Sequence, residues 1–392
     1  MFKVDRGLVF TVFLSWLIFL VCLFSPLISP VWDLFDYYFL LYFLCSYCAV
    51  YAFLLATAAY LDVRAVMISR EVLSRRLYYV AVVAMLVAIS CRGIDRFYLR
   101  PVESVFSIKS YREAREVGTN FVSFLGSLAL PFFLVSCSAC FSTLKSLKER
   151  VLLGGGVLLI LLDILASGSR GGVLLALMVL FGGFLNFKRS LILGILFVIA
   201  SGLFFVYRLG SLSDTSDLAS ALRVSSEAGY ALFVPYSPVV SSFMKQPEAL
   251  MYLFPFLQAN QYLSHGVFEF AKIFSELRGF FFEPVHVLPH LSKIFGGPSA
   301  DIRYGMYYTM AGTSYLAFGY FSIVFMMLLG VGYGVVYSLS SYLGEGVRRL
   351  VLFSILLFPF VNSFGGFDFY LYFLAVIVVR AITSRRFVLR LR

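Results

Sequence analysis

Arg170 stands in a short polar turn, Ser167-Gly168-Ser169-Arg170-Gly171-Gly172, between two apolar runs. A charge at such a boundary costs free energy unless it is paired or wet. The glycines let the backbone approach a ligand closely. The helix that follows offers its N-terminal amides to the same space, which favours an anion. A guanidinium beside free amides suits a pyrophosphate. The competing reading is a hairpin arginine that reaches for lipid headgroups. Asp163 lies seven residues earlier, two helical turns down the same face. An acid inside a span is a functional candidate; the other reading pairs it with a polar group of a neighbouring helix.

A second mixture of types comes later: Ser275-Glu276-Leu277-Arg278-Gly279, then Glu283, His286 and His290, then Asp301, Arg303, Tyr304 and Gly305. Arginines beside carboxylates and imidazoles suit phosphate binding and deprotonation of a hydroxyl. The plain alternative is a solvated loop with ordinary charges. His286 and His290 have the spacing of four that suits a metal on a helix, but Pro284 and Pro289 argue against a regular helix there. With His265, these are all the histidines of the chain. Arg92, Arg96, Arg100, Arg112 and Arg115 form a further arginine-rich set, interleaved with Glu103, Glu113 and Glu116. Much of that set reads as surface ion pairs.

These groups must be held by membrane helices. Of 392 residues, 61% are hydrophobic and only 14% charged. A soluble domain needs about a quarter charged to cover its surface. Crossing a bilayer takes about twenty apolar residues, and ten stretches qualify: 8–26, 37–60, 77–91, 121–141, 151–167, 172–185, 191–207, 311–338, 351–364 and 369–379. The last long stretch exceeds what a bilayer needs, so its first turns are expected to project outward or bend near Gly319. Basic clusters fall on alternate connections: Arg64, Arg70, Arg75 and Arg76; Lys145, Lys148 and Arg150; Lys188 and Arg189; Arg348 and Arg349. Both ends match, with Lys3 and Arg6 at one and Arg380, Arg385, Arg386, Arg390 and Arg392 at the other. The positive-inside rule therefore places both termini in the cytoplasm and the long loops on the far side.

The chain divides into helices with short loops over 1–207, a large outer loop over 208–310 and C-terminal helices with a tail over 311–392. The outer loop is proline-rich. Its apolar stretches, such as 251–257, are too short and proline-broken to span; they read as interfacial helices or as a missed pair of spans. The net charge of +11 does not indicate nucleic acid, because the basic residues sit in short clusters between apolar runs. The six cysteines lie in or at the ends of apolar runs and read as packing residues. The first apolar run is long and lacks a small-residue cleavage site, so it reads as a retained helix. No P-loop, no GxGxxG after a strand and no HExxH occurs.

At these residues the chain resembles the Wzy family of O-antigen and oligosaccharide repeat-unit polymerases, with O-antigen ligases as broader kin. SGSRGG resembles the family's SRGG-type turn. The stretch GMYYTMAGTSYLAFGYFSIVFMMLLGVGYG over 305–334 resembles the late span, where a small-residue segment precedes a YLxFGxxG-like pattern; Ser322 stands where a second glycine is common. Arg115 with Gly126 fits an arginine-x10-glycine spacing of some members. The resemblance implies an all-α, polytopic, GT-C-like bundle with about ten spans and a large late periplasmic loop, in a bacterial inner membrane. It implies a metal-independent glycosyltransferase without a cofactor. Donor and acceptor are both oligosaccharides on undecaprenyl pyrophosphate, and a chain-length regulator, a flippase and membrane lipids are the partners. Arg170, Arg278, Arg303 and Arg115 would hold the pyrophosphate, and His286, His290 or Glu283 would take the acceptor's proton; Asp163 and Tyr304 are further candidates. A ligase shares this layout and differs in its acceptor. A flippase is the rival of another class, usually marked by repeated halves and charges within spans; this sequence shows no repetition and few charges within spans.

Overall fold

In lipid, an apolar run satisfies its backbone groups by coiling into a helix, and the chain follows that rule. The computed structural model describes residues 5–67, 70–99, 120–167, 232–243, 247–277, 309–360 and 367–391, with scattered positions between 177 and 203. In some stretches, among them 62–67, 70–73, 164–167, 247–252, 367–370 and 384–391, only the backbone is described. The order is α1 (Arg6–Leu23), α2 (Tyr37–Tyr60), β1 (Leu61–Met67), α3 (Arg70–Ile94), α4 (Phe121–Cys140), α5 (Leu147–Ser167), α6 (Pro238–Phe243) and α7 (Pro247–Glu276). There follow α8 (Met310–Phe318), α9 (Ser322–Leu343), α10 (Glu345–Leu356), α11 (Phe367–Thr383) and β2 (Ser384–Leu391).

Among the described residues, five helical stretches are long and apolar enough to cross a membrane: Arg6–Leu23, Tyr37–Tyr60, Ser74–Leu99, Phe121–Thr143 and Met310–Leu343. Leu371–Thr383 is a shorter apolar helix. This is the build of a multi-pass helical membrane protein. Two expected spans, 172–185 and 191–207, lie largely outside the described residues. Polar residues mark where the apolar helices begin. Asp36 accepts the Phe39 amide at 2.8 Å, and Asn120 accepts the Ser123 amide at 2.7 Å; each satisfies an amide the helix itself cannot.

Small residues set how closely the helices pack. α3 and α4 run antiparallel. A Cβ on Gly126 would sit 3.3 Å from Cys91 Cβ at one end, and at the other Ser74 and Thr143 share a hydroxyl hydrogen bond of 2.9 Å. α2 and α9 run parallel, because Gly330 meets Val50 and Leu54 while Gly334, one turn on, meets Leu54 and Thr57. Their GxxxG spacing brings one helix backbone against the other.

Near Gly319 the structure departs from a straight span. A continuous helix would separate Ser314 and Met326 by about 18 Å, yet Ser314 Oγ lies 3.7 Å from Met326 Sδ. Gly319 has φ 55°, and the chain reverses there. α8 therefore folds back along α9 instead of projecting outward. Its N-cap Thr309 and the Ala311 amide face the Tyr47 hydroxyl, ten residues into α2. α10 also differs from the span expected over 351–364: it begins at Glu345 and stops after twelve residues. Its freed carbonyls are met inside the bundle, Leu356 by Ser15 Oγ at 2.9 Å and Phe358 by Tyr47 at 3.1 Å. Two helix ends thus meet in the middle of the bundle, and hydroxyls supply the partners that lipid cannot.

The all-α expectation holds for the bundle but not for one short antiparallel pair. β1 pairs with β2, Leu61 opposite Leu391 and Arg64 opposite Val388. These strands extend α2 and α11 at the end of the bundle that carries Asp5. There Asp5 caps α1, accepting from Gly7 N at 2.8 Å and from the Tyr337 hydroxyl at 2.6 Å, with Arg348 bonded to the same carboxylate. Lys145, Lys148, Arg150 and Arg349 belong to the turns at this end, so two of the basic clusters that the sequence grouped together lie at one end of the bundle. Burial pushes the Asp5 carboxyl up, but the Tyr337 and Gly7 hydrogen bonds and the Arg348 charge outweigh it and hold it below its ordinary value. The stabilisation is present above the unfolded value of about 3.9 and is lost as pH falls through the lower folded value. Asp5→Ala is expected to cost about 1 kcal/mol. Thermal unfolding in detergent should show the deficit at pH 7, and the deficit should shrink as pH falls through the lowered carboxyl value.

Candidate functional site

Polar groups gather at the other end of the bundle. The last turns of α3 pass into a π-helical turn over Asp95–Leu99, a wider winding common at functional sites. It keeps Arg92 and Arg96 facing α5, where Asp163 waits. Arg96 Nε lies 2.5 Å from Asp163 Oδ1, and Arg92 Nη1 bonds the other carboxylate oxygen. Asn120, which caps α4, gives its Nδ2 to Asp95 Oδ1 at 2.5 Å. Gly126 leaves room for this arrangement, since a Cβ there would meet Arg92 Cγ at 3.4 Å. Three helices are braced at one point.

Asp163 is therefore the ionic partner of a neighbouring helix. Counting Asp95, the cluster holds two arginines and two acids and is close to neutral, which suits a brace better than an anion site. Arg92 and Arg96 had been read among surface ion pairs, and their partner from 71 and 67 residues away is what the sequence did not reveal. Asp163→Asn strands two guanidiniums. Because the side chains are 17% to 33% exposed, the expected loss is about 1–2 kcal/mol. Arg96→Gln in the same chain should recover part of it, and a double-mutant cycle on detergent unfolding temperatures measures the coupling.

The second polar group lies on α7. This helix runs through the stretch expected to be proline-broken and interfacial: Pro247 opens it and Pro255 sits inside it. From 264 to 271 every residue is buried. Phe268 stacks on Phe35 at 4.6 Å, and Phe270 fills the space above Gly312, where a Cβ would meet its ring at 2.8 Å. Gln261, His265 and Glu269, one turn apart in succession, are all buried, as is Ser264. Gln261 Nε2 donates to the Val234 carbonyl at 2.8 Å and Ser264 to the Cys22 carbonyl at 3.1 Å. The 233–237 segment is held in turn by the α1–α2 connection, with Ser29 N to Pro235 O at 2.8 Å. α7 is thus wedged against the ends of α1, α2 and α8. A buried carboxylate one turn from a buried imidazole can accept or pass on a proton.

The sequence reading missed Gln261 and Glu269 and took His265 for a loop histidine. The available signal was polar residues at a spacing of four inside an aromatic stretch, an inner polar stripe on a helix. Arg170, Arg278, Arg303, Arg115, Glu283, His286, His290 and Tyr304 lie outside the described residues. Two described helices lead into two of them. α5 stops at Ser167, three residues before Arg170, and α7 at Glu276, two before Arg278. Both stops are at the Asp163 end: Tyr315, against Tyr42 near the start of α2, donates to the Leu277 carbonyl at 3.0 Å.

Comparison with protein-family models, with curated proteins and with solved structures finds no match to this chain.

Proposed function

We propose that this chain is a lipid-linked glycan polymerase of the Wzy type, with a GT-C-like fold and its site on the periplasmic face of a bacterial inner membrane. The observation that carries the reading is the separation of chemistry between the two ends. Basic clusters gather at the Asp5 end, which the positive-inside rule assigns to the cytoplasm. The buried His265–Glu269 pair and the helix ends that lead to Arg170 and Arg278 gather at the opposite end.

The reaction asks for groups of that kind. The acceptor sugar's hydroxyl oxygen forms a bond to the donor's anomeric carbon, the bond from that carbon to pyrophosphate breaks, and the hydroxyl proton goes to a base. Charge grows on the leaving pyrophosphate, so fixed guanidiniums favour the transition state over the ground state. Arg170, Arg278 and Arg303 take that role, with Arg115 as a further candidate. For the base, His286, His290 and Glu283 are the candidates from the sequence, and the buried His265 and Glu269 are two more. The lipid chain stays in the bilayer and reaches the site sideways, past the aromatic flank of α7.

Deleting the gene in its host tests the reading through the lipopolysaccharide pattern. Loss of a polymerase leaves single-repeat caps in place of a ladder. Loss of a ligase leaves no glycan on the lipid A–core while long lipid-linked chains persist, and loss of a flippase leaves neither. Either of the last two patterns would overturn the proposal.

A further inference from the structure

The Asp5 end of the bundle buries a cation that has no counter-charge among the described residues. Arg380, in the last turn of α11, is 1% exposed and is the largest fully buried side chain among the described residues. Its Cζ lies 4.9 Å from the centroid of the Tyr342 ring, in the last turn of α9. A ring face attracts the charge but takes up none of the in-plane N–H groups. Nε and Nη2 are buried and have no hydrogen-bond partner among the described residues. Arginine keeps its proton in any protein environment, so the charge cannot be relieved by neutralisation.

The two unbonded nitrogens are adjacent. Nε–H and one Nη2–H point the same way along one edge of the planar group. That edge is the fork that matches two oxygens of a phosphate or carboxylate. α11 packs on α4 and α9, and α4 adds two more buried polar atoms without a partner, the Ser136 and Ser138 hydroxyls. Both lie within a turn of Ala139, whose carbonyl faces Gly344 across this same end. β2 starts directly after α11 with Ser384, Arg385 and Arg386, and in register it sets Val388 opposite Arg64.

We propose that Arg380 anchors a phosphate site between α4, α9 and α11, occupied by the headgroup of an anionic membrane lipid. The phosphodiester gives two non-bridging oxygens to the free fork. Arg380 lies three residues before the end of α11 at Thr383, and the end of an apolar helix is where a span would meet the headgroups. Clustered arginines beside a helix end draw anionic lipid to that surface. This site is independent of the glycan chemistry at the opposite end.

The test uses the full chain, stripped of lipid in a nonionic detergent. Phosphatidylglycerol should raise the unfolding temperature by about 5 °C at saturation, through binding to the folded state alone. Inorganic phosphate, and sodium chloride at the same ionic strength, should move it by less than about 1 °C. Arg380→Met should be at least as stable as the wild type without lipid, since it removes an uncompensated buried charge, and should lose the lipid response. Arg380→Lys, which keeps the charge without the fork, should retain less than half of it, and carries the comparison should the methionine variant not fold. An equal shift with inorganic phosphate alone would make the occupant a free ion and overturn the lipid assignment. No response of the wild type to either phosphate source, or an undiminished response in either variant, would overturn the site.

Discussion

Gly330→Val is expected to abolish assembly of the protein. The new Cβ would fall on the Val50 carbonyl oxygen and within 3.0 Å of Leu54 N and Phe53 Cβ. Two of those three atoms are backbone, so no side chain can swing aside; α2 and α9 must separate. Overpacking of a core with flexible neighbours costs about 1–3 kcal/mol, and here the cost should exceed that range. Gly334→Val meets Thr57 Cβ at 2.6 Å and should behave alike. Between them, Gly332 has no atom within 4 Å of its would-be Cβ. Gly332→Ala should leave expression and the gel-filtration profile intact, with up to about 1 kcal/mol gained in helix propensity. Three glycines within five residues thus make opposite predictions. A monodisperse peak at normal yield for Gly330→Val would refute the parallel packing of α2 on α9.

Arg170→Ala is the second large effect, and it bears on chemistry. Removal of one fixed donor from a developing anion costs about 10²–10³ in rate. Cells carrying the variant should lose the long-chain ladder, keep single-repeat caps and hold a normal amount of the protein in the membrane. Arg170→Lys should fall between, because it keeps the charge without the fork. A normal ladder in Arg170→Ala at normal protein level would remove Arg170 from the site and leave it as a hairpin arginine.

The long spans were legible from run length alone. The 37–60 stretch is α2 residue for residue, and α1, α3, α4 and α5 differ from their expected stretches mainly at the ends. Apolar runs fix such helices because lipid permits little else. The features that went unread depend on tertiary contact. A bend near Gly319 was one of two expectations, but the full reversal there rests on a single positive-φ glycine inside an unbroken apolar run, and an apolar run reads the same in a span and in a hairpin. The early stop of α10 is permitted by hydroxyls on α1 and α2, more than 300 residues away in the chain. α7 was obscured by its prolines: Pro247 is at home in a first turn, and Pro255 loses one hydrogen bond that the surrounding burial offsets.

The site was legible in part for similar reasons. Asp163 stood out as an acid within an apolar run, but its role awaited Arg92 and Arg96. Arg380 was counted with the basic tail, because nothing in a list of charges separates a solvated arginine from one enclosed by three helices. Glu269 lay in a loop by its sequence position and in the interior by its packing.

Reconstitution measures the central claim most directly. The purified chain, in vesicles with an undecaprenyl-pyrophosphate-linked repeat unit as the sole substrate, should yield a ladder of lipid-linked products several repeats long, in EDTA as well as without it. A folded, correctly inserted protein that leaves the substrate at one repeat would contradict the account.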